Sequence, residues 1–248
     1  MTDSTTAFQS DQYTDTYPPG IEQHWWTQAR SEIVRRAVLS FPTSRILDVG
    51  CGPGIMVAHL RHQGMDCWGC ELGSPELREA AKDFVRTNAD AATLDPDFRE
   101  SVGIILLLDV LEHLPDPVAF LSRLIAAYPA LHGVVATVPA RMELWTAWDD
   151  RYGHFLRYQR RQLAQLYDRS GIETKSSRYF FQALYPALFL ASRLNARDTS
   201  ISAPRTTWPH TMLAKWFVLE SLIPALGWIP GSSLIATGVP RPIRAGHV

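Results

Sequence analysis

The stretch from Arg45 to Leu60, RILDVGCGPGIMVAHL, restricts this chain more than any other. Arg45-Ile46-Leu47-Asp48-Val49 is a short apolar run of the kind that forms a buried parallel strand. Glycines at 50, 52 and 54 follow at once, before a helical pattern that begins near Ile55. Strand, tight turn and helix in that order make a ligand seat. Glycine tolerates positive φ and lets a ligand approach the backbone, while N–H groups at the helix start can receive anionic groups. Spacing selects the ligand. A dinucleotide site wants a third glycine inside the helix, at the position held here by Ile55. The chain has instead Asp48-x-Gly50-x-Gly52-x-Gly54, and a carboxylate facing the turn suits a cationic amine and repels phosphate. Further on, Asp66 to Glu71 reads as a second strand ending in an acid, placed to bind both ribose hydroxyls of a nucleoside. An amino acid joined to a nucleoside, without phosphate, fits this set.

With those residues in view, DVGCGPG resembles the glycine motif of the class I S-adenosylmethionine-dependent methyltransferases. Leu111-Glu112-His113-Leu114-Pro115-Asp116-Pro117 resembles the E-H-(apolar)-x-D-P signature of the small-molecule subgroup. Gly153-His154-Phe155-Leu156-Arg157-Tyr158 through Leu163 resembles its G-H-x-x-R-Y-x-x-x-x-L element. One departure is Gln159, where Thr or Ser often caps the following helix; Gln caps poorly, which leaves that helix start uncertain. The resemblance covers residues 20 to 180 and a last strand near 233 to 240. It implies an α/β fold with a doubly wound, seven-stranded, mostly parallel sheet (Rossmann-like), the last strand entering antiparallel. It also implies S-adenosyl-L-methionine as cofactor and S-adenosyl-L-homocysteine as product.

Site residues follow from the same resemblance. Asp48, Gly50, Cys51, Gly52 and Gly54 would hold the amino-acid end of the cofactor, Glu71 and Leu72 its ribose, and Asp90 with Ala91 its adenine. Asp109, Val110 and His113 would lie beside it at the carboxyl end of the sheet. Trp25 and Trp26, near the start of a helix running to Leu39, either fold over the cofactor or cap the sheet; Tyr13, Tyr17 and His24 are further candidates for the cover.

A length of 248 residues suits a single domain. Residues 1–40 read as a polar tail and covering helix, 41–180 as the cofactor-binding core, 181–232 as a helical insertion and 233–240 as the last strand. Helical spacing predicts a helix over 75–84, and the pattern then changes to a strand over 85–91. Central strands are expected at 101–110 and 132–139, and a sixth at 172–179. No apolar run approaches the roughly 18 residues of a membrane span, and the N-terminus lacks the order of a signal peptide, so a cytoplasmic protein is expected. Cys67 and Cys70 would face opposite sides of a strand and so read as buried small residues; no metal site is expected. Net charge is −1, but residues 1–140 hold 10 Lys+Arg against 18 Asp+Glu, and residues 141–248 hold 14 against 7, giving −8 and +7. The basic half fits an anionic substrate, an anionic membrane surface or merely solvated arginines, and no nucleic-acid motif accompanies it.

The loop after the fifth strand carries Trp145, Trp148, Asp149, Asp150, Tyr152, His154 and Arg157, a set costly to expose and difficult to bury without purpose. It is the candidate substrate loop, with Phe181 and Tyr185 added from the insertion. The insertion reads either as a lid over an apolar acceptor pocket or as a surface for a membrane or a second subunit, since Arg193, Arg197, Arg205 and Lys215 flank its aromatic helices. The expected chemistry is methyl transfer to a small, partly apolar acceptor, at oxygen if a protein base is used. His154 is the first candidate base and His113 the second, with Asp149 or Asp150 orienting His154. An N- or C-methyltransferase, a lipid-linked acceptor, a dehydrogenase and an inactive nucleoside-binding module are the alternatives.

Overall fold

Two buried strands, one of them an uninterrupted apolar run, form the centre of the sheet. In the computed structural model, which describes residues 10–194 and 206–242, β1 (Arg45–Val49) pairs with β4 (Val102–Leu108) in parallel, and every residue of β4 is buried. Only a strand covered by helices on both faces can carry the run VGIILLL. The remaining strands are β2 (Cys67–Cys70), β3 (Val85–Arg86), β5 (Gly133–Pro139), β6 (Ile172–Phe180) and β7 (Ser233–Pro240). The sheet order is β3-β2-β1-β4-β5-β7-β6, with β7 antiparallel to both neighbours, which is the expected seven-stranded fold.

The helices are α1 (Ser10–Thr16), α2 (Trp25–Val38), α3 (Ile55–His62), α4 (Pro96–Ser101), α5 (Pro117–Ala127), α6 (Ala147–Arg151), α7 (Arg160–Arg169), α8 (Tyr185–Arg193) and α9 (Thr207–Leu222). They cover two apolar cores, one on each side of the sheet. Cys67 belongs to one core and Cys70 to the other, as strand alternation requires. Strand order reverses between β1 and β4, so the crevice for a ligand opens at their carboxyl ends.

Four local expectations need correction. Over 75–84 only Glu79–Phe84 is helical, as a 3₁₀ turn, because Arg78 is extended and donates its N–H to the Pro53 carbonyl at 2.9 Å instead of to a preceding helical turn. The strand over 85–91 is only Val85–Arg86; Asp90 turns the chain by accepting a hydrogen bond from the Ala92 N–H at 2.9 Å. The polar tail is ordered from Ser10, where α1 begins, while residues 1–9 lie outside the described residues. The start of α7 is held by a reciprocal pair, the Gln159 side chain accepting from the Gln162 N–H while the Gln162 side chain accepts from the Gln159 N–H at 2.8 Å, so Gln159 does cap the helix. Arg197, Arg205 and the polar link between α8 and α9 lie outside the described residues.

Candidate active site

The glycine turn works through the side chains it lacks. Gly50, Gly52 and Gly54 have φ of 72°, 53° and 84°. A Cβ on Gly50 would stand 2.9 Å from Val110, and one on Gly52 would stand 3.1 Å from the ring of Tyr17. The N–H groups do not form an anion seat, contrary to the reading of the turn alone. Gly50 and Cys51 both donate to the Cys70 carbonyl, and Gly52 donates to Glu71 Oε2 at 2.9 Å. A phosphate would find no donor at those three positions.

Glu71, at the end of β2, is a hub. Its Oε1 accepts from the Gly73 N–H at 3.0 Å and from the Tyr13 hydroxyl at 2.8 Å, so α1 is tied across the turn. Oε1 thus accepts two bonds, while Oε2 accepts only the one from Gly52 and keeps a lone pair for a ribose hydroxyl. Asp48 contrasts with it. It is buried, its Oδ1 has no hydrogen-bond partner, and burial pushes its pKa up to about 7, with Glu71 and Asp109 adding to the rise and Arg30 opposing it. Asp109, with a left-handed φ of 59°, is ion-paired with Arg30 and accepts from Thr137 Oγ1 at 3.1 Å.

Two cavities meet here. One, of about 550 Å³, runs from Tyr13 and Glu71 past Leu72, Asp90, Ala91 and Val110. The second, of about 500 Å³, is bounded by Trp25, Trp26, Leu144, Trp148, Leu184 and Leu188, with Asp48, Glu112, His113 and His154 also on its wall. Tyr17, Gly50, Leu108, Asp109 and His113 border both. The cavities therefore adjoin at the carboxyl ends of β1 and β4.

On the second cavity the two histidines form one unit. His154 Nδ1 lies 2.7 Å from Asp149 Oδ1, and the same oxygen accepts from Arg157 Nε at 2.7 Å. Asp149 is fully buried; burial alone would raise its pKa, yet the bonds from His154 and Arg157 hold it down at about 2. An ionised partner at Nδ1 fixes the proton there and leaves the Nε2 lone pair as the basic site. His113 packs edge-on against His154 at 4.7 Å and donates through Nδ1 to the Tyr152 carbonyl at 2.9 Å. Burial, then the neighbouring His154, lowers its pKa to about 4. Glu112 lies beneath the pair with neither carboxylate oxygen hydrogen-bonded, and burial, followed by Asp109, pushes it well above the usual carboxylate range. Ligand atoms of Glu112, His113 and His154 lie within 4.8 Å of one another, a grouping that spacing in the sequence did not anticipate.

A profile described as a methyltransferase domain matches residues 23–177, more than half of the chain. The chain belongs to this methyltransferase-domain family. Among curated relatives, the ubiquinone biosynthesis O-methyltransferase of Hahella chejuensis is 30% identical over 122 residues, covering 40% of this chain and 50% of the relative. That of Photobacterium profundum is 35% identical over 88 residues, covering 32% and 36%. The chain thus spans between about a third and half of the length of these relatives. Among solved structures, the Burkholderia thailandensis 1,6-didemethyltoxoflavin N1-methyltransferase superposes with a TM-score of 0.53 at 17% identity, covering 94% of this chain and 85% of that one. The Streptomyces coelicolor geranyl diphosphate C-methyltransferase gives 0.53 at 11% identity, covering 86% and 76%. These two share the fold and methylate different kinds of atom, so the fold leaves the acceptor open.

The cofactor of this methyltransferase family is S-adenosylmethionine, and the residues present fit it. Buried Asp48, whose Oδ1 has no hydrogen-bond partner, suits its cationic amino-acid end, the Cβ-free turn admits it, and Glu71 Oε2 retains a lone pair for its ribose. Asp90 lines the same cavity, although its Oδ2 also meets Arg123 at 3.1 Å. Tyr13 and Tyr17 cover this side. Trp25 and Trp26, expected over the cofactor, stand on the wall of the second cavity, and His24 caps α2 there, accepting from the Trp26 N–H at 3.3 Å. Of the expected substrate residues, Trp148, Tyr152, His154 and Arg157 line that cavity.

Three do not. Trp145 points to Asp150, donating through Nε1 at 3.0 Å. Phe181 is fully buried behind Trp25 and Phe217, and the Tyr185 hydroxyl donates to Glu143 at 2.7 Å. Leu184 and Leu188 line the cavity instead, following a turn in which Phe181 has a φ of 60°. Arg30, Leu144, Leu184 and Leu188 went unrecognised in the sequence, where nothing distinguishes them from ordinary core and surface residues.

Proposed function

We propose that this protein transfers a methyl group from S-adenosylmethionine to a hydroxyl oxygen of a small, partly apolar acceptor. The observation that carries the reading is the Asp149–His154 pair on the wall of an apolar cavity that opens onto the glycine turn. S-adenosylmethionine, when bound, would supply a methyl group activated on a sulfonium, the new O–CH₃ bond forming as the S–CH₃ bond breaks and S-adenosylhomocysteine leaves. Asp48 and the turn around Gly50 and Gly52 hold the amino-acid end, Glu71 orients the ribose, and Asp90 meets the adenine. His154 Nε2 takes the proton as the acceptor O–H becomes O–CH₃, and ionised Asp149 stabilises the imidazolium that results. His113, held neutral by its lowered pKa, is a weak base and acts as packing and orientation for His154. The aromatic and aliphatic walls exclude water and position the acceptor. The O-methyltransferase names of the curated relatives support an oxygen acceptor.

Titration calorimetry tests the donor half: S-adenosylhomocysteine binds and NAD does not. Turnover with hydroxyl-bearing aromatic compounds tests the acceptor half, and transfer only to amines or carbon would replace the oxygen reading. A second reading is favoured by the approach of Glu112, His113 and His154, which offers a divalent cation three ligands that could hold the acceptor oxygen. Activity that survives exhaustive chelation supports the base; activity lost to chelation and restored by metal supports the cation. For the insertion, we favour a wall of the acceptor cavity formed by its first turn, through Leu184 and Leu188.

A further inference from the structure

Helix α9 carries apolar side chains on two opposite faces, and the fold covers only one of them. Ala214 and Phe217 are buried in the core on the side of α2, and Trp25 packs on Phe217 at 5.0 Å. On the opposite face Trp208, Met212, Trp216, Leu219 and, one residue past the end, Ile223 recur at intervals of four, four, three and four. That spacing puts all five on one stripe of a helix about 24 Å long. Trp208 is 69% exposed and Trp216 60%. A contiguous apolar stripe left exposed on a folded chain marks an interaction surface, so this stripe calls for an occupant.

Charge narrows the choice. Among the described residues of the insertion and β7, the only carboxylate is Glu220, which is buried and accepts from the Gln182 and Ala183 N–H groups. The exposed face of α9 thus carries no acid. Lys215 lies within the outward arc, beside Trp216, and is exposed. In a two-fold pairing of this face with itself, that ammonium would enter an apolar contact in which the same face supplies no counter-charge, which is costly. At a bilayer, the lysine stem lies along the apolar surface and its head reaches the phosphates, while tryptophan favours the headgroup level. No helix among the described residues is long and apolar enough to cross a membrane, so the mode is interfacial.

We propose that the outward face of α9 docks on the surface of an anionic lipid bilayer, with Trp208, Met212, Trp216 and Leu219 entering the headgroup boundary and Lys215 pairing with lipid phosphate. One consequence rests on the proposed methyl transfer: Leu184 and Leu188 belong to the same insertion and line the acceptor cavity, so docking would bring that cavity near a lipid-dissolved acceptor. The docking itself does not depend on turnover.

The test is flotation of the full chain with phosphatidylcholine vesicles, with and without phosphatidylglycerol, in the absence of cofactor and acceptor. The chain should float with the anionic vesicles and far less with the neutral ones. The double variant Trp216→Glu with Leu219→Glu should lose at least about tenfold in partitioning, and Lys215→Glu at least about fivefold. Both alter exposed positions, so unchanged circular dichroism and thermal midpoints are expected. If the double variant does not fold, Lys215→Glu carries the test alone. A chain that stays at the bottom of the gradient, or variants that float like the parent, would overturn the proposal. So would equal binding to both vesicle types, or a lipid-free dimer in light scattering that Trp216→Glu dissolves. Failure of the methyltransferase reading would instead show in the calorimetry and leave flotation unchanged.

Discussion

The two adjoining cavities are built by opposite means. The cavity at Glu71 is polar where it matters and assembled from strand ends and the turns after them, with its carboxylate satisfied by backbone N–H groups and by Tyr13. The cavity at His154 is walled by apolar side chains from α2, the loop after β5 and the insertion, and it holds an unpartnered carboxylate, Glu112. A site for one constant ligand can be written into short backbone motifs. A site that must suit a particular acceptor is made from side chains that distant segments contribute.

Four measurements would break or sharpen that comparison. The largest effect is expected at the acceptor side: His154→Ala should lower kcat by about 10²–10⁴-fold with unchanged S-adenosylhomocysteine affinity, the usual range for a lost general base. A variant that keeps most of its activity between pH 6 and 8 would remove the base from the mechanism. At the donor side, Glu71→Ala should weaken S-adenosylhomocysteine binding at least about tenfold, since charge-assisted hydrogen bonds are worth roughly 1.5–3 kcal/mol each. Its apparent KM for acceptor should hold steady; if that moved instead, the assignment of the two cavities would be reversed.

Asp48 gives a pH test whose sign can be worked out. Burial leaves its carboxyl near a pKa of about 7, so it is increasingly protonated as pH falls below that value. A cationic ligand group binds the ionised form, and affinity should therefore drop about tenfold between pH 7.5 and 6. Asp48→Asn should flatten the profile. The same raised pKa implies that Asp48 favours the folded state below the unfolded value near 4, a contribution lost as pH rises through 7. The smallest effect is expected from Leu188→Ala, which should raise the acceptor KM a few-fold, about 1 kcal/mol of apolar contact, and leave donor affinity alone. A change confined to donor affinity would show that α8 bears on the other cavity.

Legibility in the sequence followed the same division. The turn and acids of the proposed donor seat, Asp48, the glycines and Glu71, could be picked out in the sequence, and a contact of His154 with Asp149 or Asp150 was expected because the groups lie four or five positions apart; the structure makes it Asp149. The tryptophans at 25 and 26 were readable as residues that must be covered, but not as walls of the acceptor cavity. Phe181 and Tyr185 were misplaced for a related reason. A left-handed φ at Phe181 marks the turn where the chain leaves β6, and no pattern of residue types announces a positive φ at a phenylalanine.

By itself the sequence determined where the central strands lie along the chain, the positions of the glycine turn and the acids around it, and the family, because buried parallel strands and ligand turns require particular residues at short spacing. Tertiary structure alone decided that the turn's N–H groups are already engaged, that Tyr13 reaches Glu71 across 58 residues, and that Glu112, His113 and His154 converge. It also decided that one face of α9 stays uncovered. Each of these depends on which segments meet in space, and an apolar or ionisable side chain reads the same in the sequence whether its partner arrives or not.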